Sequence, residues 1–113
     1  MSTVAPEVEE LRICLDRVRA LLDALIVRGL RACGEHELNQ LKSFAEDLEK
    51  SGAGHVAGSL SDLHEKITAD DRTAARTLLL AQTSVRLLER LLTLRVAKDQ
   101  FQAALSEEEN RGE

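Results

Sequence analysis

The sequence predicts an all-α fold, a four-helix bundle whose first and last helices are long. Three observations point to it. The run from Asp70 to Leu105 contains no Gly and no Pro and is rich in Leu, Ala and Arg. The aromatic residues are Phe44 and Phe101, with no Trp or Tyr, so leucine and alanine must fill the core, which favours helices over sheets. Apolar residues also recur at spacings of three and four, in segments separated by glycine. With 113 residues and 43% apolar content, the chain is sized for one domain with a modest core.

The elements follow in order. Residues 1–5 read as a short polar lead-in expected to be disordered, and residues 6–105 as the helical domain. Pro6 suits a first helical turn. Val8, Leu11, Leu15, Val18, Leu22 and Leu25 form a heptad-like seam, while Arg12, Asp16, Arg19 and Asp23 share another, solvated face. This helix should end near Arg28, with Gly29 as its left-handed C′ residue and Leu30 folding back on the last turn. The second helix lies between Gly34 and Gly52, with Leu38, Leu41, Ala45 and Leu48 as its stripe and Phe44 alongside. After the Ser51-Gly52-Ala53-Gly54 break, Val56, Leu60, Leu63 and Ile67 mark the third. Thr68 and Asp71 have the spacing of a capping box opening the fourth helix.

At about 100° per residue, the fourth helix divides into three bands. Ala74, Leu78, Ala81, Val85, Leu88, Leu92 and Val96 form a core stripe that ends before Asp99. Leu80, Leu87, Leu91, Leu94, Phe101 and Leu105 form a second apolar band. Burying each of its side chains is worth roughly 1.5–3 kcal/mol. Either the long first helix closes over this band, or the band is a homodimer seam or a groove for a partner helix. Arg72, Arg76, Arg86 and Arg90 make a third band, a candidate anion contact unless the carboxylates of helix two (Glu35, Glu37, Glu46, Asp47 and Glu49) face and pair with it. The acidic stretch 106–113 is expected to fray as a disordered tail.

Composition excludes several function classes. A net charge of −5 and a pI near 5.2 argue against a general nucleic-acid binder, and no aromatic is interleaved with the arginines to stack bases. No stretch approaches the about 20 apolar residues of a membrane span, and no basic-then-apolar leader opens the sequence, so the cytoplasm is the expected compartment. Cys14 and Cys33 are too few for a disulfide framework and are expected to be reduced and packed. Cys33 and His36 make half of a zinc-type pair, but Cys14, His55 and His64 supply no second half, and no metal or other cofactor is expected. His64 lacks the Lys and Gly that follow a phosphotransfer histidine, since Ile67 and Thr68 stand there. Neither a nucleophile–base pair nor a nucleotide loop is present; Gly52 and Gly54 are turn chemistry. These patterns are those of a protein that is not an enzyme.

Gly29-Leu30-Arg31-Ala32-Cys33-Gly34, then Leu41, Ala45, the Gly52-Ala53-Gly54 break, Leu60, Leu63 and the Asp70-Asp71 start with its Leu-rich final helix, to about Leu92, span about half the chain. This stretch resembles the helical module found in and beside bacterial SWIM-type zinc-finger and MoxR-associated proteins. The Cys-x-Cys and Cys-x-His pairs of a SWIM finger are not in this sequence. The resemblance implies an interaction role, with Gly29–Gly34 as a constrained turn in which Arg31 anchors a helix end or meets a partner. The expected function is therefore that of a non-enzymatic interaction or adaptor protein. It would associate with itself or with a partner helix through the second band of helix four. The alternative is a nucleic-acid or anion-binding helical protein using Arg72, Arg76, Arg86 and Arg90.

Overall fold

The computed structural model describes residues 6–111. It is an all-α, four-helix bundle: α1 (Pro6–Arg28), a single 3₁₀ turn (Leu30–Ala32), α2 (Glu35–Lys50), α3 (Gly54–Thr68) and α4 (Ala74–Arg111). The expected lead-in, residues 1–5, lies outside the described residues. Each helix packs on its neighbour in sequence, and α1 also packs on α4, which closes a square of antiparallel helices.

Gly29 ends α1 with its N–H donated to the Leu25 carbonyl at 2.9 Å. Its φ of 84° is positive, as a C′ glycine predicts, but its ψ of 152° makes it extended rather than left-handed helical. That region is essentially reserved for glycine, and it swings the chain outward into the 3₁₀ turn. At the start of α2, Glu37 reaches back to accept the Gly34 N–H at 3.0 Å, half of a capping box, since glycine has no side chain to complete it.

The start of α4 differs from the expectation. Thr68 does not cap it; the Thr68 hydroxyl donates to the His64 carbonyl at 2.8 Å and closes α3 instead. Asp70 takes a positive φ of 52°, which breaks the chain between the two helices. Asp71 then accepts both the backbone N–H and the hydroxyl of Thr73 at 2.7 Å, so the helix opens only at Ala74. At the other end α4 runs to Arg111, through residues 106–111 that were expected to fray. The reason is composition: alanines and glutamates are good helix formers, and nothing breaks the run before Gly112. Residues 112–113 lie outside the described residues.

The core is a leucine core. Leu15, Leu22, Leu41, Leu48, Leu60 and Leu63 are fully buried, with Val18 and Val85. Ala45, Ala57 and Ala81 let the helices approach closely, and Leu21, not assigned to the stripe of α1, is buried as well. Val8, Leu11, Leu38, Phe44, Ile67 and Leu88 pack at the margin and are only half-buried. Thr77 is the one buried polar side chain among the described residues; it donates to the Thr73 carbonyl and accepts from Lys66 Nζ at 3.0 Å.

Two predictions follow from packing and capping. Leu60→Ala should cost about 2–5 kcal/mol in chemical denaturation, whereas Val27→Ala, at an 85% exposed site, should stay within about 0.5 kcal/mol. Equal effects would contradict the assigned core. The Asp71 carboxyl is held below its ordinary range by the Thr73 hydroxyl and then by the Thr73 N–H. A carboxyl depressed in the folded state contributes stability above its unfolded pKa and loses it as pH falls through the folded value. Asp71→Ala should therefore lower the Tm at neutral pH, and the difference should shrink as the pH falls below the ordinary range of a carboxyl. A difference that does not change with pH would rule out the ionised cap.

Candidate functional site

The arrangement of the helices around α4 decides which of its faces are free. Gln82 donates to Asp23 Oδ1 at 3.0 Å, and Arg19 meets Glu89 at 3.4 Å. These pairs set α1 antiparallel to α4 on the side carrying Gln82, Val85 and Glu89. On the adjacent side α3 lies against Thr77 and Leu88, with Lys66 bonded to Thr77 near one end. The first helix therefore does not close over the second apolar band.

That band lies in the open. Leu80, Leu87, Leu91, Leu94, Phe101 and Leu105 are between 45% and 65% exposed. Extending the α1 register at about 1.5 Å per residue puts Pro6 level with roughly residue 100 of α4. Phe101 thus lies level with the start of α1 and Leu105 past it, where no other described helix of the chain reaches. The other exposed apolar residues, Ile13, Ile26, Val27 and Leu79, form no continuation of this band.

Two polar residues complete a pattern that reading only the apolar positions missed. Leu80, Leu87, Leu94 and Phe101 are each seven apart, and so are Ser84, Leu91, Lys98 and Leu105. The two series interleave at spacings of four and three, a heptad seam nearly four heptads long. Its d positions are Leu, Leu, Leu and Phe; its a positions are Ser, Leu, Lys and Leu. Beside Ser84 the seam opens into a groove of about 340 Å³, where α4 meets the start of α3. Gly52, Ala53, Gly54 and Val56 form one wall, and Ser84, Leu87, Leu88 and Leu91 the other. The Gly-x-Gly turn keeps that wall low.

Arg76, Arg86 and Arg90 lie on α4 beside the seam, whereas Arg72, expected on the same helix, lies in the turn before it begins. Arg72, Arg76, Arg86 and Arg90 are all exposed, and none pairs with a carboxylate among the described residues. Helix two does not neutralise them, because it packs against α1 and α3 and sits diagonally across the bundle from α4. Its Glu37 instead lies 3.9 Å from Arg28 of α1.

The remaining candidates are not brought together. Among the described residues, no group of three or more His, Cys, Asp or Glu side chains is placed to hold a metal ion. His36 and His55 are exposed on separate elements, and His64 is half-buried on α3. Cys14 and Cys33 are free thiols; burial raises both pKa values, with Asp47 adding to the effect at Cys14 and Glu37 at Cys33. This is the electrostatics of unreactive, packed cysteines. Arg31 lines a surface cavity of about 320 Å³ with Lys66, Asp70, Asp71 and Arg72, where the charges of both signs largely offset. Among the described residues no helix is long and apolar enough to cross a membrane. In comparison with known proteins, no family model, curated protein or solved structure matches the chain.

Proposed function

We propose that this chain is a non-enzymatic interaction protein that binds another helix, its own or a partner's, along the heptad seam of α4. The observation that carries the reading is the exposure of the six large apolar side chains on one continuous face, part of which runs past the end of the bundle. A soluble domain gains nothing from presenting such a face to water, and the 3.5-residue repeat is the one that a second helix fits by knobs-into-holes packing. The interaction role agrees in kind with the one implied by the resemblance of residues Gly29–Leu92 to the SWIM-associated helical module.

Replacing Leu91 and Phe101 together by Asp tests this. Both are more than 60% exposed, so the helix content by circular dichroism should be retained and the Tm should move little. Association by sedimentation velocity should be lost. Unfolding of the double variant would make these core residues and defeat the proposal, and so would association that persists unchanged.

A further inference from the structure

We infer that the occupant of the seam is a second copy of this chain, laid antiparallel, so that Phe101 of each copy enters the groove beside Ser84 of the other. The inference deepens the proposed function and rests on the seam being an interface.

The layers of the seam choose the orientation. In an antiparallel pair each a position faces a d position. Aligning the two seams over their full length places the dyad between residues 92 and 93. No layer then sets like charges against each other. Ser84 faces Phe101 of the partner subunit, the smallest seam residue against the largest, at the point where the glycine-walled groove opens. Lys98 faces Leu87 of the partner subunit, so its stem packs and its ammonium reaches out to water. Leucines fill the two other kinds of layer.

A parallel pair fails on the same residues. It would set Lys98 against its own copy in one layer and Arg90 beside Arg95 across the flank, two like-charge contacts in a chain whose seam has no acidic residue to relieve them. Two Ser84 side chains would also face each other over an unfilled groove.

The ends of α4 give an independent charge argument. Glu107, Glu108 and Glu109 sit at the helix C-terminus, where the macrodipole disfavours carboxylates. The first turns of α4 carry no acidic residue. In the antiparallel register residues 107–109 fall level with the first turns of the partner subunit's α4, where carboxylates are favoured. The area also suffices. Six half-exposed large side chains bury roughly 600 Å² per copy, about 1,200 Å² for the pair, at the lower edge of stable interfaces.

The test is a distance. Ser106 lies off the seam, and Ser106→Cys in a Cys14→Ser/Cys33→Ser background takes one spin label per copy. The antiparallel pair separates the two labels by about 40 Å, and pulsed dipolar spectroscopy at high micromolar protein should read that value. A separation under about 20 Å would overturn the orientation while leaving self-association through α4 intact. Absence of dipolar coupling would overturn the second copy itself, and the seam would then stand or fall on the Leu91/Phe101 variant with another chain.

Discussion

The length of α4 is the constraint on which the rest depends. It has 38 residues, whereas α1 has 23, α2 has 16 and α3 has 15. At about 1.5 Å per residue α4 rises roughly 57 Å, and the molecule is correspondingly a rod of 66 × 20 × 20 Å. Three shorter helices can cover two sides of it and only part of its length. A final stretch of about a dozen residues, standing alone in water, is close to the limit at which a helix holds itself together. The same stretch carries Phe101 and Leu105, so the part with least support from its own chain has most to gain from another helix.

The division of α4 into two apolar faces explains both the stability of the bundle and its exposed surface. The inner face, with Leu78, Ala81, Val85 and Leu92 buried, is used up by α1 and α3. The outer face repeats every seven residues and is left over. Between them lie Gln82 and Glu89 on the α1 side, which meet Asp23 and Arg19 at the rim of the contact, while Leu15, Val18, Leu22 and Leu25 of α1 are buried in the core. Had α1 turned toward Leu87 and Leu94 instead, Gln82 and Glu89 would have lost those partners. The Glu89–Arg19 contact is partial, since Glu89 Oε1 is buried without a hydrogen-bond partner.

Much of this was legible in the chain. Glycines at 29, 34, 52 and 54 punctuate it, and leucines at spacings of three and four lie between, so the four helices and most core leucines could be read directly. What failed was local hydrogen bonding. Thr68 has two uses, as a cap for the next helix or as a bond back into its own, and the spacing to Asp71 does not say which one wins. The acidic stretch looked like a tail because charge suggests solvation, yet glutamate is a good helix former and no breaker intervenes before Gly112. The second band was visible as leucines, but its heptad was hidden by Ser84 and Lys98, two polar residues at seam positions. Whether α1 covered the band depends on how helices some 60 to 70 residues apart pack, as the Arg19–Glu89 and Asp23–Gln82 contacts report, beyond the reach of any local pattern.

The central claim, that the outer face of α4 is built to be covered by another helix of this chain, is tested most directly by molar mass in solution. Light scattering over a hundredfold range of concentration should give a mass approaching twice the 12.5 kDa of the chain at the concentrated end, falling reversibly on dilution. A mass fixed at that of one chain throughout would contradict it.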